Sequence, residues 1–413
     1  MASISDRLKA LGVSVGGQDL TPAKKSSKHS IEKMVEGQLE ETEFGEAFVV
    51  DERFPVGDKH GAYPLEFPKQ LERLALWAQD SSLVEKDRSA FLFLDTETTG
   101  LSGASGTFAF MIGAGRFHED HFWQRQFFLR DPIEEPAMLA SLERFAAPAD
   151  ALVTFNGKSF DIPLLTTRFL TNAAPSPFTG MAHVDLLHMA RRLWREVLVS
   201  RTLGNLEEAL LGVQRTSEDT PGWMIPQMYV DYLRSGDARP MGGIFYHNAL
   251  DIRSMVTLLG LISDKLEQPY NEQAPHAEMF AIARLFADLG FPEEAIELYA
   301  QLLELRPERE IKSRLVENLA WLHRRKEDFD AALTLWETAA EEGEVYAHVE
   351  IAKYYEHRSG DFSQAISYSE QAMKIVSSSR ASRFERLHWE PLLEHRLQRL
   401  QRKQDGGHPK EGD

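Results

Sequence analysis

Phe91-Leu92-Phe93-Leu94-Asp95-Thr96-Glu97-Thr98-Thr99-Gly100 is an apolar run that turns into alternating acid and threonine and stops at glycine. The run predicts a buried strand over residues 91–96, and Thr-Thr-Gly predicts the turn that ends it. Side chains at i and i+2 of a strand leave the same face, so Asp95 and Glu97 project together from its end. Two carboxylates that close raise each other's pKa unless a cation lies between them. A hard divalent ion such as Mg²⁺ or Mn²⁺ accepts oxygen ligands and keeps positions open for phosphate. The pair therefore reads as half of a metal site or, taken alone, as solvated residues at a strand end.

Working outward, strands are expected at 107–117 and 122–129, linked by short turns and hence antiparallel to the first. A helix over 134–145 leads to a strand at 151–155, a helix at 159–170, a strand at 183–186 and further helices to Ile262. Upstream, Phe48-Val49-Val50 reads as an entry strand, and Leu71, Leu74, Leu76 and Trp77 as a helix face. Three antiparallel strands followed by two with helical crossovers is the order of an α/β, ribonuclease H-like mixed sheet with helices on both faces. This domain is assigned to residues 43–266, after a mobile, Lys/Ser/Gly-rich tail over 1–42.

After a break at 267–275 the composition becomes wholly helical. Ala295, Ala332 and Ala365 each follow a turn and an aromatic residue, and they recur at spacings of 37 and 33 residues. That is near the roughly 34-residue period of tetratricopeptide repeats, whose small alanines let paired helices approach. An all-α repeat domain is therefore expected over 276–403, with a disordered tail over 404–413. A generic helical bundle is the alternative.

The chain has 413 residues, 43% of them hydrophobic, which suffices for two or three cored domains. It has no cysteine, so disulfides, thiolate nucleophiles and Cys-ligated zinc are excluded, and a reducing, cytoplasmic compartment is expected. Residues 1–25 contain no apolar core of a signal peptide, and no membrane span is expected. A net charge of −18 speaks against nucleic-acid binding by a broad basic surface. It leaves room for a metal-dependent enzyme on phosphodiesters, where the cations supply the positive field.

Carboxylates elsewhere must complete the site. Asn156-Gly157-Lys158-Ser159-Phe160-Asp161 follows a strand directly: Asn-Gly supplies a turn, Ser159 is a candidate helix N-cap, and Asp161 falls in the first helical turn. Asp161 either faces the acidic pair or simply complements the helix dipole. In Tyr246-His247-Asn248-Ala249-Leu250-Asp251, His247 and Asp251 stand at i and i+4 on one helix face, with Tyr246 about 140° from Asp251. An imidazole, with an ordinary pKa of about 6.5, suits a general base near neutrality. An intrahelical surface contact is the plainer reading of that pair.

Together, Asp95, Glu97, Asp161 and Asp251 resemble the acidic set of the DEDD superfamily of 3′–5′ exonucleases. The segments DTETTG, FNGKSFDIPLL and YHNALDI look most like its bacterial YprB-like branch, over residues 45–400. The Asn-Gly-x-x-Phe-Asp element is also similar to the second exonuclease motif of family B polymerases. The resemblance implies two divalent cations, Mg²⁺ or Mn²⁺, held by Asp95, Glu97, Asp161 and Asp251, and hydrolysis of nucleic-acid phosphodiesters. It implies His247 as base, the backbone around Thr98 and Thr99 with Leu101 as seat of the terminal nucleotide, and Asn156 and Lys158 as further substrate contacts. Lys158, Arg168, Arg191 and Arg192 are candidate phosphate contacts or solvated residues on helix faces. His247 precedes Asp251 by four residues, the spacing of the superfamily's tyrosine subclass, whereas histidine bases there usually precede by five. Asp185, at another strand end, reads as a helix-entry residue or a support of the site.

The leading function is thus a metal-dependent exonuclease acting on DNA or RNA, with repeats that bind a protein partner. The rival is a non-catalytic repeat scaffold carrying a nuclease-like domain. An actin-like phosphotransferase fits less well, because Glu97 stands where such phosphate loops need glycine.

Overall fold

The computed structural model describes residues 29–100, 106–379 and 381–406. They form two compact units, one of residues 29–191 and 200–264 and one of residues 192–199 and 265–406.

The first unit contains strands β1 (Gln38–Thr42), β2 (Gly45–Pro55), β3 (Lys59–His60), β4 (Tyr63–Pro64), β5 (Phe91–Thr98), β6 (Ala109–His118), β7 (His121–Phe128), β8 (Ala151–Thr154) and β9 (Ala182–Asp185). β3 and β4 form a small ribbon; the others make one mixed sheet in the order β1-β2-β7-β6-β5-β8-β9. β1 to β5 pair antiparallel along that order, while β5, β8 and β9 run parallel. This is the ribonuclease H-like mixed sheet expected from the sequence.

Helices cover both faces. Along β6, Gly113 and Gly115 face the Met241–Glu267 helix, where an added Cβ would meet Asn248 and Ile252. Arg116, one residue out of phase, faces the Glu135–Ala146 helix and lies over Phe145. The same alternation along β5 sends Leu92 and Leu94 into a core shared with Phe110, Ile112, Phe127 and Leu142. The first four residues of β5 are buried and the last four are partly open, so its acidic end emerges at the rim of the sheet.

The expected tail over 1–42 requires correction at its end. Ile31 is buried in the core, and Gln38–Thr42 is an edge strand paired with β2. Its polar side chains are largely exposed, so backbone pairing makes it a strand where composition reads as tail.

In the second unit, helices His276–Leu289, Pro292–Glu304, Arg309–Arg325, Phe329–Glu341, Val345–Tyr354, Phe362–Val376 and Arg383–Gly406 follow one another, each packed on the next. Ala295, Ala332 and Ala365 are all fully buried at the contacts for which small residues were expected. Asp328 and Asp361 cap two helices by accepting from the Ala331 and Gln364 amides at 3.3 and 3.0 Å. The last helix carries through residues 404–406, where a disordered tail was expected, and the rest of that expected tail, 407–413, lies outside the described residues. Residues 192–199 also belong to this unit: Trp194 Nε1 donates to Glu278 at 2.6 Å, and Arg314 pairs with Glu196 at 2.7 Å. The contiguous boundary at 266 missed this excursion. Among the described residues, no helix is long and apolar enough to cross a membrane.

Candidate active site

Asp95 and Glu97 leave the end of β5 on the side of the Met241–Glu267 helix. Asp95 Oδ2 accepts from Asn248 Nδ2 at 2.9 Å, and Glu97 Oε1 lies 3.9 Å from His247 Nε2. Thr96, between them, points the other way and donates its hydroxyl to Asp161 Oδ1. Beyond the strand, the Thr98 hydroxyl donates to the Gly100 carbonyl at 2.8 Å, and Thr99 Oγ1 accepts from the Phe108 amide at 3.0 Å. These two hydroxyls are thus committed to closing the loop. Leu101 lies outside the described residues.

One turn apart on the long helix, His247 Nε2 stands 3.6 Å from Asp251 Oδ2. The hydroxyl of Tyr246 instead accepts from the Thr216 amide at 3.3 Å. Arg215, from the loop ahead of the Ile225–Ser235 helix, organises the group. Its guanidinium is held by Glu207 at 2.6 and 2.9 Å, and its Nη2 donates to Asp251 Oδ1. His247 Nδ1 lies 2.8 Å from Asp219 Oδ1 and 2.9 Å from Arg215 Nη1. One ring nitrogen makes one such bond, so donation to Asp219 leaves Nε2 unprotonated, while acceptance from Arg215 puts the proton on Nε2.

The Asn-Gly turn forms as expected. Asn156 adopts φ +69°, and a Cβ on Gly157 would come within 2.5 Å of Thr154. Asp185 secures the turn, accepting from the amides of Asn156 (2.8 Å) and Lys158 (3.1 Å), and also receives the Leu187 amide at 3.1 Å. It serves both as helix entry and as support for the motif. Ser159 is not the cap: the helix runs Asp161–Thr171 with Phe160 at the capping position and no side-chain cap. Lys158 is exposed on this loop.

The carboxylates share one electrostatic environment. Asp95 is held well above the usual carboxylate range by burial, then by the charges of Asp251 and Asp161; the bond from Asn248 opposes this. Glu97 is raised likewise by burial and by Asp95, Asp251 and Asp161. Burial lifts Asp161 to about 6 against its bonds to Thr96. Burial also raises Asp251, with His247 and Arg215 opposing. Side-chain exposures of 14% for Glu97, 13% for Asp251 and 17% for His247 leave these groups shielded yet reachable.

As the side chains lie, no three His, Asp or Glu groups among the described residues stand in cation-ligating geometry. The expected four-carboxylate set is therefore not preformed. One oxygen each of Asp95, Asp161 and Asp251 is bonded, to Asn248, Thr96 and Arg215 respectively. The chemistry nonetheless fits hard cations: all four donors are carboxylates, the charges of Asp161 and Asp251 raise the proton affinity of Asp95 and Glu97, and Arg215 is bonded to Asp251.

Arg168 is not a phosphate contact. It is 6% exposed, paired with buried Glu135 through two bonds at 2.6 and 2.5 Å, and stacked over Phe108. Arg192 is occupied by Asp288 in the helical unit. Sequence reasoning missed Arg215, Glu207, Asp219, Asn248 and Gln126. Asn248 stood inside a quoted motif and Gln126 inside an expected strand, but Arg215, Glu207 and Asp219 lie in segments with no periodicity or spacing to mark them.

Residues 92–263 match the family model described as RNase_H superfamily, and residues 279–313 match a tetratricopeptide repeat. The chain is 31% identical over 363 residues to the uncharacterized protein YprB of Bacillus subtilis (strain 168), covering 85% of this chain and 84% of that protein. The family B DNA polymerase of the archaeon Pyrobaculum calidifontis matches with 20% identity and a TM-score of 0.33, over 62% of this chain and 34% of the polymerase. That likeness is too slight to define the fold. On the identity and coverage shared with YprB, the protein belongs to the YprB family and joins an RNase H superfamily domain to a tetratricopeptide repeat.

Proposed function

We propose that the protein is a metal-dependent 3′–5′ exonuclease that hydrolyses phosphodiesters at a single-stranded end of DNA or RNA. The observation that carries this reading is the meeting of Glu97 and Asp251 at His247, whose Nε2 lies 3.6 Å from Asp251 and 3.9 Å from Glu97, with Asp95 held beside them by Asn248. Asp95, Glu97, Asp161 and Asp251 would hold two divalent cations, Mg²⁺ or Mn²⁺, which when bound supply the Lewis acidity that in-line displacement at phosphorus needs.

The chain's own residues do the rest. Asp219 accepts the Nδ1 proton of His247, which leaves Nε2 free to take a proton from the attacking water. Arg215 keeps Asp251 turned toward that imidazole. The backbone at Thr98 and Thr99, with Leu101, seats the terminal nucleotide, and Asn156 and Lys158 approach it from the neighbouring turn. The repeat unit serves as a docking surface for a protein partner.

The test uses 5′-labelled single-stranded DNA and RNA with Mn²⁺ or Mg²⁺. Stepwise shortening from the 3′ end, abolished by Asp95→Ala and by chelation, is expected. No metal-dependent shortening of either substrate would leave the repeat scaffold as the function.

A further inference from the structure

Asp95, Gly113 and Gln126 stand opposite one another in one row across β5, β6 and β7. Alternate strands are about 9.6 Å apart, so Gln126 and Asp95 cannot touch directly. The Asn248 side chain lies over Gly113 and bridges them. Gln126 Nε2 donates to Asn248 Oδ1 at 2.9 Å, and Asn248 Nδ2 donates to Asp95 Oδ2 at 2.9 Å. Asn248 is fully buried and Gln126 is 2% exposed.

The chain of amides has a direction. Gln126 Nε2 also donates to the Phe245 carbonyl at 2.8 Å, and a backbone carbonyl can only accept. That contact orients the Gln126 amide, which in turn requires Asn248 to offer its oxygen to Gln126 and its NH₂ to Asp95. The opposite setting would place two NH₂ groups face to face and an amide oxygen against a carboxylate. Gly113 supplies the room: a Cβ there would sit 2.3 Å from Asn248 Oδ1.

We propose that Gln126 and Asn248 form a positioning relay that fixes the rotation of Asp95 and leaves Oδ1 as the oxygen offered to a divalent cation. Neither residue touches the reacting atoms. The proposal rests on reading Asp95 as a cation ligand. Outer partners of ligating groups typically govern metal affinity by about 10- to 100-fold.

The full-length protein is titrated with Mn²⁺ alone, read by calorimetry and by loss of the free-ion EPR signal, with thermal unfolding in parallel. Gln126→Met removes the donor, and Gln126→Glu keeps the shape while reversing the required direction. Both are expected to weaken Mn²⁺ binding about 10-fold. Gln124→Met, two residues along the same strand face and bonded to Glu52, should lower stability without changing Mn²⁺ affinity. Wild-type affinity in either folded Gln126 variant, or an equal loss in Gln124→Met, overturns the relay while leaving the cation reading intact. Failure of the wild type to bind Mn²⁺, or undiminished binding by Asp95→Ala, overturns the cation reading and the relay with it.

Discussion

Arg215 Nη2 donates both to Asp251 Oδ1 and to Glu207, whose fully buried side chain also accepts from Nε. The Arg215 charge is pulled down by burial but raised on balance by Glu207 and Asp251, so this cation is permanent. Glu207 thereby anchors a positive group against a carboxylate that ends the helical half of the site.

Replacing Arg215 by Met is expected to destabilise the protein by about 3–5 kcal/mol, because Glu207 is left buried without its partner. Arg215→Lys should lose less, since it keeps the charge but not the two-pronged geometry. Urea unfolding of the three proteins checks both the size and the order; equal stability of wild type and Arg215→Met would contradict it.

Cation binding should depend on pH in a defined sense. Asp95 and Glu97 have pKa values raised in the fold, so their contribution to stability is full below the unfolded values near 4 and is lost as pH rises through the folded ones. A divalent ion reverses this by favouring the charged forms. Mn²⁺ is therefore expected to raise the Tm more at pH 7.5 than at pH 5.5, by differential scanning fluorimetry, and the difference should vanish in Asp95→Asn/Glu97→Gln.

His60 sets a separate acid limb. It is 7% exposed, bonded to Ser254 at 2.7 Å, and lowered to about 4 by burial and by the charges of Arg253 and Arg215. The folded state holds it neutral, so its contribution is complete above the ordinary value of 6.5 and is lost as pH falls toward 4. The loss is on the order of 3 kcal/mol. His60→Gln should flatten the decline in unfolding free energy between pH 7 and 4.5.

Gly113→Ala should cost about 1–3 kcal/mol, because the Cβ forces Asn248 away from a place pinned at both ends. A Gly222→Ala control, where nothing lies within 4 Å of the added Cβ, should be close to neutral in the same thermal unfolding assay.

In the helical unit, Glu356 has no side-chain exposure and joins Arg396, Arg399 and Lys403 at 2.8, 2.7 and 2.9 Å. Glu356→Gln leaves three cations without their shared anion. Limited trypsin digestion should then cut within the Arg383–Gly406 helix faster than in the wild type; unchanged cleavage would show that apolar packing by Leu393 and Leu400 suffices.

Local pattern carried a large part of this protein. The alternation of β5 sets Asp95 and Glu97 on one side, the four-residue step sets His247 above Asp251, and Asn156-Gly157 can make only a narrow range of turns. These are properties of neighbours in the chain, and they are legible wherever period and turn chemistry agree. The alanine spacing of the repeats is legible for the same reason.

Other features depend on residues far apart in the chain. The polar strand Gln38–Thr42 exists because β2 offers a free edge, and Arg168 is buried because Glu135 arrives from another helix. The turn ahead of Asp161 is secured by Asp185, nearly thirty residues on, and the Ile162 amide goes to the Gly157 carbonyl rather than to Ser159.

The sequence by itself determined which side chains are acidic, which faces they leave, and the alanine period of the repeats. Only the tertiary structure decided how those acids are held: Asp95 through Asn248 and Gln126, Asp161 by Thr96, and Asp251 by an arginine that Glu207 anchors. Periodicity constrains direction within one element, whereas hydrogen-bond partners drawn from several elements are chosen by burial, where an unpaired polar group is too costly to leave.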